Sequence, residues 1–145
     1  MNASENIFIG VGAVVFRGDE VLLIKRGKAP FLGHWSIPGG RLEYGERLID
    51  AITREIHEET ATTVRILGLL DAFEALPRTQ QQFDRHTIMI DYVAEWVSGE
   101  PVAGDDATEA EFVSIDEAMT RLSWDQTRLA LRRAIELRPS FAKAP

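Results

Sequence analysis

A helix-forming segment near the middle of this chain carries three glutamates on one face. Glu55, Glu58 and Glu59 are spaced i, i+3 and i+4, so on an α-helix their carboxylates lie within about one turn of each other. Like charges at that spacing destabilise an isolated helix by a few tenths of a kcal/mol per pair. A bound cation would remove this repulsion, and hard oxygen ligands in a row suit Mg²⁺ or Mn²⁺. The alternative is a solvated acidic face, and the surrounding sequence has to decide between the two.

The residues before this segment indicate a glycine-rich loop. Trp35 to Ile37 is a short strand-like stretch, and it runs into Pro38-Gly39-Gly40, a strong turn signal. Because glycine permits close approach of its backbone, the carbonyl oxygen of Gly40 is a candidate metal ligand. From Leu48 to Thr60 apolar residues recur every four positions, which predicts an amphipathic helix with its apolar stripe against a core. The acidic face then lies beside Arg54, which can hold one carboxylate by an ion pair.

The pattern between Gly40 and Thr62 resembles the Nudix box, G-x5-E-x7-R-E-U-x-E-E-x-G-U, in which U is a bulky apolar residue. Ile56 occupies the first U position, and six fixed letters match at Gly40, Glu46, Arg54, Glu55, Glu58 and Glu59. Two positions depart from the pattern. Ala61 replaces the glycine that normally ends the helix, often in a left-handed conformation, and Thr62 replaces an apolar residue. We therefore expect a slightly altered helix exit and an intact set of carboxylates.

This resemblance implies a metal-dependent hydrolytic site. Glu58 and Glu59 are the first candidates for metal ligands, together with Gly40, and Glu55 is either a third ligand or the general base. Arg54 is expected to orient a carboxylate; its alternative is a surface ion pair of little energetic consequence. Mg²⁺ is the expected cofactor, and Mn²⁺ is expected to substitute for it.

A later loop offers a further acid. Gly99-Glu100-Pro101 followed by Gly104-Asp105-Asp106 is similar to a family segment whose last acid points at the metal ions. We expect Asp106 to be that acid, ahead of Asp105 and then Glu109, as a ligand or as the general base. A solvated turn is the competing interpretation.

Several residues outside the box are candidates for substrate contacts. Arg26 ends a predicted strand just before the loop that approaches the site, and it is a candidate for contact with a phosphate. His86 resembles a position near the substrate in family members that cleave ADP-ribose. Trp35, like Phe31 and Phe73, is a candidate for stacking on a base. For each residue the alternative is a structural role, since aromatic side chains at strand ends commonly belong to the core.

Composition excludes several other classes of protein. The chain has 145 residues, 45% of them hydrophobic and 27% charged, as in one soluble globular domain. It has no cysteine, which excludes disulfides and zinc–thiolate sites and fits a cytoplasmic location. A net charge of −7 without a basic stripe argues against a nucleic acid polymer as partner. The apolar stretch Ile7–Phe16 is too short for a membrane span and follows the acidic Glu5, so we interpret it as a buried strand.

Periodicity and turn signals divide the chain into strands and helices. Strands are predicted at Ile7–Phe16, Val21–Arg26, Thr63–Phe73, Thr87–Val97 and Glu111–Val113. One helix is predicted at Leu48–Thr60. A brief second helix, capped by Ser114 or Asp116, is predicted to run through Leu122. A third, capped by Ser123 or Asp125, is predicted to run to about Arg138, where Pro139 stops it and leaves a loose tail from about residue 140. These elements predict an α/β fold, an α/β/α sandwich with a central mixed sheet in a single domain over residues 1–145, which is also the Nudix fold.

The resemblance also bears on the reaction. The Gly-Glu-Pro and Gly-Asp-Asp elements look most like small bacterial ADP-ribose pyrophosphatases, which implies a small-molecule nucleoside diphosphate derivative as substrate and AMP and ribose 5-phosphate as products. Homodimers are frequent among such relatives, so a homodimer is an expected assembly. The same box is equally compatible with a second activity, that of a nucleotide-pool sanitiser that cleaves (d)NTPs. A nucleotide-sugar sensor without catalysis is a third hypothesis, disfavoured because no acid of the box is lost.

Overall fold

The computed structural model describes residues 6–29, 31–77 and 85–142. Its strands are β1 Phe8–Arg17, β2 Glu20–Arg26, β3 Trp35–Ser36, β4 Gly39–Arg41, β5 Thr63–Ala75, β6 Thr87–Ser98 and β7 Ala107–Ser114. Its helices are α1 Leu48–Thr60, α2 Ile115–Arg121 and α3 Asp125–Ala142. The predicted strands and helices are therefore present. The structure adds β4 where a loop was expected, and β7 is longer than predicted.

The strands form one mixed sheet in the order β3-β2-β1-β6-β5, with β4 paired to β1 and β7 paired to β2. The central pair, β1 and β6, is parallel and places Gly12 opposite Asp91. The other pairs are antiparallel. This arrangement confirms the mixed sheet predicted from the sequence.

Strand β1 shows why helices cover both faces of the sheet. Val11, Ala13 and Val15 belong to a core cluster that includes residues of α1, whereas Val14 and Phe16 belong to a second cluster with α2 and α3. Each of these five side chains is at most 1% exposed. Successive residues of a strand point to opposite faces, so a strand that is apolar at every position must be covered on both. The α/β/α sandwich is confirmed.

The end of α1 differs from the expectation. Ala61 adopts a left-handed conformation with φ 60° and ψ 19°, and its N–H donates to the carbonyl of His57. The altered exit expected for an alanine at this position is therefore wrong. Alanine here adopts the left-handed conformation that glycine adopts readily, at a cost of about 1–2 kcal/mol.

The end of α3 also differs. The helix continues through Pro139 to Ala142, so the predicted stop at Arg138 is wrong. Phe141 packs against the core cluster under α2 and α3, and its ring lies so close to Gly68 that a Cβ there would be 2.5 Å away. This contact holds the last turn against the sheet. Residues 143–145 of the expected tail, and 78–84 of the polar stretch before β6, lie outside the described residues. Within the described part, no helix has the length and apolar character needed to cross a membrane.

Candidate active site

The backbone of β4 touches two buried glutamates of α1. Glu55 is 8% exposed and Glu59 is 4% exposed. A Cβ on Gly40 would lie 2.3 Å from the carboxyl group of Glu55, so glycine is required for this approach. The N–H of Gly39 donates to Glu59 Oε1 at 2.8 Å. The glycine pair thus brings the strand backbone against two of the three box carboxylates, while Glu58 on the same helix is exposed.

Arg54 ties the acidic face together. Its Nε and Nη2 donate to the two carboxylate oxygens of Glu46 at 2.7 and 2.9 Å. Its Nη1 donates to Glu55 at 2.9 Å and to Glu58 at 3.2 Å. The hydrogen bond with Glu46 is the main cause that raises the pKa of Arg54 and lowers the pKa of Glu46. Glu46 therefore anchors the guanidinium, and the guanidinium sets the positions of the two helix carboxylates.

The loop between β6 and β7 docks on the C-terminal end of α1. The N–H of Val102 donates to the carbonyl of Thr60 at 2.9 Å, and the N–H of Gly104 donates to that of Glu59 at 3.0 Å. Both bonds satisfy carbonyls that the last helical turn leaves without intrahelical donors. The next residue, Asp105, has a left-handed backbone with φ 52°. The docked loop thereby carries the Asp105 carboxylate to the acidic face.

Glu55, Glu58 and Asp105 offer carboxylate oxygens that all lie within 4.8 Å of one another. Burial is the main cause that raises the pKa of Glu55, and the charges of Glu58 and Asp105 add to it. Burial also raises the pKa of Glu59 to about 8, with smaller contributions from Glu55 and Asp105. Negative charge converges here, and a donor set made only of carboxylate oxygens fits a hard divalent cation, which would relieve the repulsion.

Asp106 lies outside this group. Its Oδ1 is 2.8 Å from Lys28 Nζ. Glu109, the third acid of the loop, forms an ion pair with Lys25 at 3.3 Å. The place beside the helix glutamates belongs to Asp105, which the sequence ranked second. No local signal separates two adjacent aspartates, because only the docking of the loop decides which one faces α1.

A cavity of about 1020 Å³ adjoins the acidic face, since Gly39 and Gly40 form part of its wall. The lining combines aromatic rings with guanidinium groups: Phe8, Phe31, Phe73 and Trp124, and Arg26, Arg41 and Arg85. Guanidinium groups bind phosphates well, and aromatic rings can pack against a base. The charge of Arg26 also lowers the pKa of Glu59, which places this arginine within electrostatic reach of the buried glutamate.

The candidate substrate residues divide into two sets. Arg26, Phe31 and Phe73 line the cavity. Trp35 and His86 are absent from the described lining residues. The guanidinium of Arg121 lies over the Trp35 ring, 4.7 Å from the ring centroid. His86 Nε2 lies 3.8 Å from a carboxylate oxygen of Glu74. The geometry gives no support to substrate contacts by these two residues.

Sequence reasoning missed several residues of the cavity wall, namely Met89, Asp91, Trp124, Gln126 and Thr127. One of them carries a sequence signal. Asp91 is an acid in the middle of an apolar strand, between Ile90 and Tyr92, and an acid at such a position is rarely buried without a partner.

Comparison with known proteins agrees with this fold. Residues 7–134 match the NUDIX domain. The chain therefore belongs to the Nudix hydrolase family, whose members include pyrophosphohydrolases.

Three similar proteins illustrate the relationship. The chain is 34% identical over 121 residues to an ADP-ribose pyrophosphatase of Methanocaldococcus jannaschii, in an alignment that covers 83% of this chain and 69% of that enzyme. It is 32% identical over 118 residues to an 8-oxo-(d)GTP phosphatase of Mycolicibacterium smegmatis, covering 81% of this chain but only 34% of that longer protein. A crystal structure of a MutT NUDIX hydrolase from Burkholderia pseudomallei has a TM-score of 0.75 and 30% identity, covering 89% of this chain and 98% of the other.

Proposed function

We propose that this Nudix hydrolase cleaves the phosphoanhydride of ADP-ribose to AMP and ribose 5-phosphate. The observation that carries the proposal is the convergence of Glu55, Glu58 and Asp105, within 4.8 Å, beside a cavity lined by guanidinium groups and aromatic rings. The choice of ADP-ribose rests on the 34% identity to the methanogen ADP-ribose pyrophosphatase over 83% of this chain.

The residues that would hold Mg²⁺, or Mn²⁺ in its place, are Glu55, Glu58 and Asp105. Glu59, which accepts a hydrogen bond from the N–H of Gly39, and the carbonyl of Gly40, whose backbone closely approaches Glu55, are the further candidates. When bound, a divalent cation neutralises the charge of the phosphoanhydride and lowers the pKa of the attacking water. Asp106 would join this set only if its ion pair with Lys28 opened.

The side chains of the chain supply positioning and proton transfer. Arg54 keeps Glu55 and Glu58 in fixed positions through its hydrogen bonds to both. Arg26 and Arg41 line the cavity and would contact the phosphates. In the reaction, water attacks one phosphorus, the bond from that phosphorus to the bridging oxygen breaks, and the bridging oxygen leaves with the other phosphate. A carboxylate takes the proton of the water. Glu55 is the candidate for this role in the alternative in which Glu58, Glu59 and Asp105 hold the cation, because burial raises its pKa and makes it a stronger base.

The second candidate reaction is hydrolysis of a (d)NTP, including oxidised guanine nucleotides. The observation in its favour is the 32% identity to the mycobacterial 8-oxo-(d)GTP phosphatase over 81% of this chain. The same carboxylates would serve either substrate, so the cavity has to make the distinction. A sensor without catalysis is disfavoured, because all the acids of the box are present.

The decisive experiment is a substrate screen with the purified chain. ADP-ribose, other nucleotide sugars, dGTP, 8-oxo-dGTP and dinucleoside polyphosphates are incubated with Mg²⁺ or Mn²⁺, and the products are separated by ion-exchange chromatography. We expect the highest kcat/KM for ADP-ribose, with AMP and ribose 5-phosphate formed in equal amounts. A higher kcat/KM for 8-oxo-dGTP would establish the second candidate instead. Binding of ADP-ribose without turnover of any compound would support a sensor.

A further inference from the structure

Asp91 is a buried acid on the wall of the same cavity, and neither the box nor the proposed hydrolysis uses it. It lies in the central part of β6 and is 6% exposed. Its Oδ1 is buried and has no hydrogen-bond partner among the described residues. Leaving a buried carboxyl oxygen unpaired is unfavourable, so the structure retains a group that the protein alone does not satisfy.

The sheet provides the space for this carboxyl group. Gly12 lies opposite Asp91 in the register of β1 and β6, and a Cβ at Gly12 would be 2.6 Å from Asp91 Oδ1. Any other residue at position 12 would displace the carboxyl group. Gly12 also lines the cavity.

The acid that pairs with Asp91 in the sheet register has its own counter-ion. Asp71 on β5 is the cross-strand neighbour of Asp91, and its carboxylate forms an ion pair with Arg133 of α3. Burial is the main cause that raises the pKa of Asp91 to about 7, and the charge of Asp71 raises it further. Among the residues that the structure describes, no cation contributes to lowering it.

The chemistry of the cavity indicates what Asp91 can bind. Among the described lining residues Asp91 is the sole carboxyl group, whereas three arginines, whose guanidinium groups suit phosphates, also line the cavity. A carboxyl group repels a phosphate and accepts hydrogen bonds from neutral donors. Phe31 and Trp124, whose ring centroids are 3.6 Å apart, line the same cavity and can contact a flat heterocycle. A hydrogen-bond acceptor in a cavity with aromatic walls fits the amino group of a nucleobase.

We propose that Asp91 is a specificity-determining residue that accepts a hydrogen bond from the exocyclic amino group of the substrate base, so that the site prefers adenine to its keto analogue hypoxanthine. The inference rests on the proposed function in one respect, namely that the substrate is a nucleotide derivative. One oxygen of Asp91 accepts hydrogen bonds whether the carboxyl group is ionised or neutral. A keto group at the same place brings lone pairs against that oxygen, and a site that loses a buried hydrogen bond rejects the analogue strongly.

The test measures the affinity for AMP and IMP by calorimetry in the absence of divalent metal, at pH 8.5, and compares kcat/KM for ADP-ribose and IDP-ribose with Mg²⁺. In the parent protein we expect AMP to bind about tenfold or more tighter than IMP, as for the loss of one hydrogen bond to a charged group. Asp91→Val should reduce this preference to less than about threefold. Asp91→Asn preserves the shape of the side chain and should reduce it similarly, because its amide can donate to the keto group.

Asp71→Asn is the matched control, since Asp71 is the neighbouring acid in register and has its own ion pair. This variant should keep the parent preference. An unchanged preference in both Asp91 variants, or a parent protein without any preference, would overturn the assignment. A protein that hydrolyses ADP-ribose but binds AMP and IMP equally would refute the role of Asp91 and keep the reaction. A protein that prefers AMP through Asp91 but cleaves no ADP-ribose would refute the reaction and keep the role.

Discussion

The molecule contains two regions of buried acid with opposite surroundings. On α1, Glu55 accepts a hydrogen bond from Arg54 at 2.9 Å, and Glu59 accepts one from the N–H of Gly39 at 2.8 Å. On β6, Asp91 Oδ1 accepts none from the described residues. Burial raises the pKa of all three groups, but neighbouring donors oppose this rise only on the helix. The helix site is held together by the protein itself, whereas the cavity wall keeps an acceptor that a ligand can satisfy.

The largest expected effect tests the helix region. Glu58→Gln should lower turnover of ADP-ribose with Mg²⁺ by about 100-fold or more, since charge stabilisation by a bound metal is worth several kcal/mol. The midpoint of thermal unfolding should stay the same or rise, because one charge leaves a repulsive group. Glu109→Gln is the control, because Glu109 pairs with Lys25 outside the group, and its rate should equal that of the parent. Equal rates for Glu58→Gln and the parent would remove Glu58 from the site.

The next effect separates the two adjacent aspartates of the loop. Asp105→Asn should lower kcat by about 10-fold or more, because it removes one carboxylate from the group that fits a cation. Asp106→Asn should change the rate by less than about threefold, since it breaks only an exposed ion pair with Lys28. Steady-state kinetics of both variants gives the comparison. The reverse order of effects would return the role to Asp106.

A third prediction concerns the cavity region and pH. Burial raises the pKa of Asp91 to about 7 in the folded protein from 3.8 in the unfolded chain. The folded state therefore binds more protons than the unfolded state between these values, so this group lowers stability as pH rises through them. Asp91→Val should be more stable than the parent at pH 8, and this advantage should be smaller by roughly 2–4 kcal/mol near pH 4.

Urea unfolding of the parent and of Asp91→Val at pH 4, 6 and 8 without metal measures this difference. Other titrating groups cancel, because both proteins share them. A difference that does not change with pH would show that Asp91 is satisfied in solution, and it would remove the contrast between the two regions.

The smallest effect concerns the end of the acidic helix. Ala61→Gly should raise the free energy of unfolding by about 1 kcal/mol, because Ala61 has φ 60° and glycine adopts this conformation without strain. Ala61→Val should lower it, since a β-branched residue tolerates a positive φ poorly. Turnover should stay within about twofold of the parent in the glycine variant if the helix exit already has the geometry that the carboxylates need. Chemical denaturation and steady-state kinetics check both statements, and a loss of stability in the glycine variant would contradict the first.

The sequence by itself determined the acidic helix and its bounds, Leu48–Thr60, because spacing along a helix dictates which side chains share a face. It also predicted the mixed sheet and the family, since apolar runs and the box letters are local patterns. Only the tertiary structure decided that Asp105 rather than Asp106 reaches the glutamates and that Asp91 lines the cavity. The reason is physical. The direction in which a side chain points from a loop or strand depends on hydrogen bonds and strand pairing between segments that are far apart in the chain.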